Sequence, residues 1–277
     1  MIISPSAISP YKITTFQSGG GFDPDALAII AQMTTNGSTP SAARQAIINQ
    51  LVLDLKGLGN TGAVDIWSQL DILQIYAAED DIQAKTEWIR ANGTLDAIEL
   101  NAPTFTSDLG YASSTGNAIN TSYNPNTEAT NYTLNNNAFG VFVEAGVSAA
   151  YICGSNSGVV VGSGIRNLTS NNDQTNNSPS FWLDSFASIT GLQTNSRSNA
   201  TTVALYNNDS TKNGNKARTV SVIPNFEFYV LGRNLAGTLS NTGHPTTASM
   251  FYAGADITEN ITQFYNSLNA YRTSIGL

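Results

Sequence analysis

The chain carries one cysteine, Cys153, and one histidine, His244, in 277 residues. A single thiol excludes an intramolecular disulfide framework and any zinc site built from several thiolates, and a single imidazole excludes metal motifs that need a histidine pair. Charge is scarce too. Asp, Glu, Lys and Arg make up 12% of the sequence, about half the usual share of roughly 25%. The 12 Lys and Arg are scattered singly and the formal net charge is -8, so the clustered cations that neutralise nucleic-acid phosphates or grip an anionic membrane are missing. No stretch reaches the ~18 consecutive apolar residues of a membrane-spanning helix. The first 20 residues lack the basic start and apolar run of a secretory signal, so synthesis in a cytoplasm without export is expected.

What the chain has instead is Asn, Thr, Ser and Gly, with 41% hydrophobic residues to supply a core. Its texture changes near Asn92. Residues 1–21 read as an extended arm, with Pro5 and Pro10 followed by the hinge Gly19, Gly20 and Gly21. Residues 22–91 read as a helical attachment or assembly module. Asp23 as N-cap with Pro24 behind it starts a first helix that Asn36 and Gly37 end. A second begins at Thr39 and Pro40 and sets Ile47, Ile48, Leu51, Val52 and Leu55 on one stripe until Gly57. A third is expected from Val64 through Trp67, Leu70, Leu73 and Ile75, on the same periodicity. These helices are too short to stand alone and need a partner surface.

Residues 92–277 read as an antiparallel sandwich closed by a helix. β-branched and aromatic runs at 139–143, 149–153, 159–161, 201–206, 219–223 and 226–231 are expected strands. Turn signals at 171–173, 176–177, 207–209 and 213–214 separate them. Many short strands without alternating helices indicate a jelly-roll sandwich, not a parallel sheet. Asp256 and Glu259 resemble a capping box for a last helix with Ile257, Ile261, Phe264, Leu268 and Tyr271 on its apolar face.

Catalytic chemistry has little to work with. His244 lies in a turn sequence before Pro245, and no Gly-x-Ser-x-Gly elbow occurs. Glycoside hydrolysis needs two carboxylates flanking the sugar, whereas Glu144, Asp184 and Glu227 each stand alone in their runs. The glycine-rich segments 154–158 and 162–164 lack the lysine and following helix of a phosphate loop and read as hairpin or bulge geometry. Segment 170–178 offers one carboxylate, too few for a strong calcium site, and reads as a solvated loop. No metal and no cofactor is expected. Amides, hydroxyls and the interspersed aromatics Tyr123, Tyr132, Trp182 and Tyr206 could pair with sugar hydroxyls and stack on sugar C–H faces, which makes these four the candidate ligand-binding residues.

Six segments in order then resemble bacteriophage virion proteins with a laminin-G-like, concanavalin-type sandwich. They are Phe22-Asp-Pro-Asp-Ala-Leu27, Asn120-Thr-Ser-Tyr-Asn-Pro125, the Tyr132 to Phe142 run, Gly191-Leu-Gln-Thr-Asn-Ser-Arg197, the Phe228 to Gly237 run and the Phe264 to Tyr271 ending. The resemblance implies a head or tail fibre or appendage protein, held to other virion proteins by arm and helices and exposed to the host. It carries over no catalytic residues. The expected protein is a non-enzymatic virion component, a homotrimer by virtue of its arm and short helices. The alternatives are a carbohydrate-binding receptor-recognition module and a polysaccharide depolymerase.

Overall fold

A computed structural model describes residues 21–277 apart from 115, 147–150, 159–161, 168–171, 179–181, 185–189, 210, 218 and 241–245, with the backbone alone at 167, 172–176, 178, 182–184 and 211–216. The expected arm through residue 20, the expected strand at 159–161 and His244 lie outside the described residues.

Helix α1 (Pro24–Thr35) starts where Asp23 accepts the Asp25 N–H, and α2 (Ala42–Leu55) starts where Ser41 accepts that of Arg44. Both caps satisfy N–H groups that the first turn leaves without helical partners. A 3-10 turn at Trp67–Gln69 leads into β1 (Leu70–Ile75). The expected third helix is therefore a strand. A short apolar run fits either periodicity, and here both faces of the strand are covered, so all six positions are buried, Asp71 and Gln74 included. The short α3 (Asp81–Lys85) follows.

Strands β2 (Ile98–Leu100), β3 (Thr104–Thr106), β4 (Gly110–Ala112), β5 (Ala118–Asn120), β6 (Asn137–Ala145), β7 (Tyr151–Asn156), β8 (Gly162–Asn167), β9 (Asn172–Ser178) and β10 (Trp182–Asp184) come next. They are followed by β11 (Gly191–Arg197), β12 (Thr202–Asn207), β13 (Thr211–Ala217), β14 (Tyr229–Val230), β15 (Arg233–Leu235), β16 (Thr238–Ser240) and β17 (Thr247–Gly254). A 3-10 turn at Thr258–Asn260 precedes α4 (Ile261–Ser274). Asp256 organises that turn by accepting the Thr258 N–H and hydroxyl. It does not cap α4, which begins later than the expected capping box.

One sheet runs β13-β12-β11-β6-β17-β4-β3, with β1 also paired to β17. The other runs β10-β9-β8-β7-β14-β5-β2, with β15 parallel to β7 and antiparallel to β16. Two expected turns, 176–177 and 213–214, and the described part, 172–178, of the expected solvated loop at 170–178 fall on β9 and β13. The expected strand at 219–223 forms no ladder, and only Tyr229 and Val230 of the run 226–231 do. The glycine segments do form a bulged hairpin, with register shifts at Tyr151/Cys153 and Gly162/Gly164.

Alternation along the strands divides the apolar residues between two cores. Phe139, Val141, Phe251 and Ala253 face the second sheet with Ile152, Ile165, Phe228 and Val230. Ala138, Phe142, Met250 and Tyr252 face the other way and pack with Ile29, Leu51, Phe264 and Leu268 of the helices. The molecule is thus three layers: helices, first sheet, second sheet. β1 pairs with β17 in the first sheet, and α1 and α2 share its outer core.

Buried polar groups lock the layers. Arg44 of α2 donates to the Ala77 carbonyl at 3.0 Å and the Tyr271 hydroxyl at 2.8 Å, and pairs with Asp108. Asp71, at the β1 bulge, accepts the N–H groups of Thr130, Asn131 and Tyr132 at 3.0, 2.8 and 2.7 Å, pinning that loop to the sheet. Glu87 takes the N–H groups of Leu73, Ile89 and Arg90 at 3.3, 2.6 and 2.8 Å.

Candidate functional site

Three of the four aromatics singled out from the sequence are core residues. Tyr123 is fully buried, its ring parallel to that of Phe228 and its hydroxyl donating to Asp71 at 3.0 Å. Tyr132 is buried with its hydroxyl on Asn177 at 3.1 Å and beside Ser163. Tyr206 lies in the helix-side core. Burial holds the Tyr123 and Tyr132 phenols well above their ordinary range, so both remain neutral. All three rings are packed in the cores, where amphipathic tyrosine fits wherever its hydroxyl finds a partner. The backbone of Trp182 pairs with Gln174 in β10, and its side chain lies outside the described residues. Cys153 is buried and its thiol is pushed up by that burial, so it is no nucleophile.

A concave feature among the described residues lies elsewhere, where α4 crosses the ends of β6 and β11. Phe142 and Glu144 alternate onto the helix side of β6. Tyr265 and Arg272 stand seven residues apart on α4, two turns along one face. The Tyr265 ring lies nearly parallel to Phe142, centroids 6.4 Å apart, and the Arg272 guanidinium sits 4.0 Å from the Phe142 centroid. Arg272 also grips both oxygens of Glu144, Nε on Oε1 at 2.7 Å, and Ser249 donates to Oε1 at 2.6 Å. The opposite wall is Thr190, Gly191 and Asn208, and the cleft has a volume of 240 Å³.

Glycine is required at 191. Its φ is +91°, and a Cβ there would lie 2.2 Å from Oδ1 of Asn208, which accepts the Leu192 N–H at 3.0 Å. Among the described residues, the Asn208 side-chain amide donors and the half-buried Tyr265 hydroxyl make no protein hydrogen bond. The cleft therefore presents an aromatic ring, amide and hydroxyl donors and a carboxylate already held by arginine. Glu144 is the one acid among the described lining residues. The sequence signal for this site was slight: Tyr265 and Arg272 fall beside the apolar stripe of α4, and only the fold brings them to Glu144 and Asn208.

No family model and no curated protein matches the chain. Among solved structures, a mutant of HCR/D superposes with a TM-score of 0.52 at 10% identity, over 73% of this chain and 53% of that one. Trypanosoma rangeli sialidase in complex with sialic acid superposes with a TM-score of 0.51 at 9% identity, over 82% of this chain and 39% of that one. The botulinum neurotoxin serotype D binding domain gives 0.47 at 11% identity, over 73% and 51%. The first two place the chain among β-sandwich folds. It spans about half of the HCR/D chain and less of the sialidase.

Proposed function

We propose that the chain is a non-catalytic saccharide-recognition module that engages a sugar in the cleft between α4 and the first sheet. The observation that carries this is the Tyr265 and Phe142 stack facing unpartnered donors of Asn208. A ring can pack against sugar C–H groups while amide and hydroxyl donors fix the hydroxyls. The carboxylate of Glu144 is committed to Arg272 and Ser249, which supports binding over turnover. That one structure sharing the fold is a sialidase holding sialic acid is consistent with a sandwich that meets sugars. We infer further a jelly-roll sandwich of the concanavalin or laminin-G-like type. On the sequence resemblance, its setting is a bacteriophage particle, where the module would face the host and assemble with other virion proteins as a homotrimer.

A glycan array tests the reading, followed by titration of the best neutral oligosaccharide. Tyr265→Ala removes a stacking contact worth about 0.5–1.5 kcal/mol and is expected to weaken binding roughly threefold to tenfold, whereas Tyr265→Phe loses only the hydroxyl. A blank array, or a Tyr265→Ala variant that binds like wild type, overturns the cleft as the site. Release of reducing ends from a bound polysaccharide would replace the module with an enzyme.

A further inference from the structure

We propose that Asn92 is a self-modifying residue, converted with water to aspartate and isoaspartate in a reaction that Gly93 and Thr94 promote. With no Cβ in the way, a glycine nitrogen reaches the Cγ of the asparagine before it more easily than any other residue's nitrogen does. Three asparagines of the chain, Asn36, Asn92 and Asn213, precede a glycine. The fold treats them differently.

Asn36 closes α1 in helical geometry, with φ -71° and ψ -12°, and its whole amide is tied. Nδ2 donates to Asp96 at 2.7 Å and to Thr86 at 3.2 Å, while Oδ1 accepts from Gln32 at 2.8 Å. The Gly37 N–H is engaged as well, donating to the Thr34 carbonyl at 3.1 Å. Asn213 and Gly214 lie within β13, whose extended backbone would have to break for the two groups to meet. Asn92 instead sits in an exposed turn, with Gly93 at φ +78°. Its Oδ1 accepts the Thr94 N–H at 3.0 Å and the Thr94 hydroxyl at 2.7 Å. Among the described residues, neither the Asn92 Nδ2 nor the Gly93 N–H makes a protein hydrogen bond.

The two Thr94 donors form a small oxyanion hole on the oxygen that turns negative when Cγ is attacked. The Gly93 nitrogen gives its proton to water and bonds to Cγ. The bond from Cγ to Nδ2 breaks, and the amine takes a proton back from water and leaves as ammonia. The cyclic imide then adds one water and opens at either carbonyl, to aspartate or to isoaspartate. Asn199 is a built-in comparison: it is exposed and holds the same two donors, from Thr201 at 2.9 and 3.1 Å, but Ala200 follows it. Either product adds a negative charge to a chain whose net charge is already -8. The change falls where Gly93 lies against α1 and Asp96, since a Cβ there would be 3.0 Å from Nε2 of Gln32 and 3.7 Å from Oδ2 of Asp96.

Peptide mapping by mass spectrometry of the full chain, aged in mildly alkaline buffer, tests the proposal. The peptide holding Asn92 is expected to exchange its amide for an acid severalfold faster than those holding Asn36, Asn199 and Asn213. Thr94→Val, which keeps the N–H but loses the hydroxyl, should slow that exchange about threefold to tenfold, the worth of one hydrogen bond, whereas Thr94→Ser should not. In urea the three Asn-Gly peptides should convert at similar rates, because the fold no longer separates them. A rate at Asn36 or Asn213 in the folded chain equal to that at Asn92, or a wild-type rate in Thr94→Val, overturns the proposal. So does a preference for Asn92 that persists unchanged in urea, which would place its cause in the local sequence and not in the turn.

Discussion

Glu87 illustrates how a single buried carboxyl sets a dependence on pH. Burial pushes its pKa from 4.5 up to about 7, against the backbone N–H groups that favour the anion. Between those two values the folded state keeps a proton that the unfolded chain releases. Stability therefore falls as pH rises through that window, by up to about 3 kcal/mol for a shift of this size. Urea unfolding at pH 5 and pH 8 should show the loss in wild type and a smaller one in Glu87→Gln, whose side chain does not ionise. Equal pH slopes in the two proteins would remove Glu87 as the cause. At the same scale, the burial of Tyr123, Tyr132 and Tyr206 was not legible, because residue type does not report which face of a strand or loop is covered. Asp71 takes the Tyr123 hydroxyl and the Tyr132 N–H and draws both residues inward.

Elements whose local signals agreed with their surroundings were legible. Helix α1 starts at the cap named from the sequence, Asp23, whereas α2 is capped by Ser41, two residues after the expected start at Thr39; β6 and β12 coincide with runs of β-branched and aromatic residues. Those decided by remote pairing were not. The asparagine pairs 176–177 and the Asn213, Gly214 step favour turns locally, yet the ladders of β8 with β9 and β12 with β13 override them. Segment 219–223 has strand composition but makes only single backbone hydrogen bonds, Val220 N–H to Ala200 and Ser221 N–H to Asn177, and Val222 remains exposed. The short β14 is anchored by its flank: Phe228 is fully buried, its centroid 5.0 Å from Phe139 and 5.6 Å from Phe251. Phe228→Ala should cost about 3–5 kcal/mol in urea unfolding. A loss below about 1 kcal/mol would mean that the sheets do not pack through this ring.

For the whole molecule, the shared cores of helices and sandwich carry a direct consequence. A fragment of residues 92–277 lacks β1, the neighbour of β17, and leaves the outer face of the first sheet without α1 and α2. It should fail to give a cooperative thermal transition, whereas the full chain should unfold in one step with the near-ultraviolet and far-ultraviolet signals coincident. A stably folded fragment would make the helical segment an independent module after all. The candidate cleft belongs to the same scale, since its walls come from β6, the β11 and β12 ends and α4, and exist only when helix and sheet layers are joined.

Composition by itself settled that this is a weakly charged chain with one cysteine, which excludes an intramolecular disulfide framework and a site of several of its own thiolates. Those conclusions rest on counts, and counts do not depend on folding. The caps of the first helices and the strongest strands were also fixed locally, by hydrogen bonds and side-chain shapes within a few residues. Tertiary structure alone decided that residues 70–75 form a strand, that three tyrosines are core, and that Tyr265 and Asn208 line one cleft. Each of these depends on which face a distant segment covers, and that is settled only when apolar surface from the whole chain is buried together.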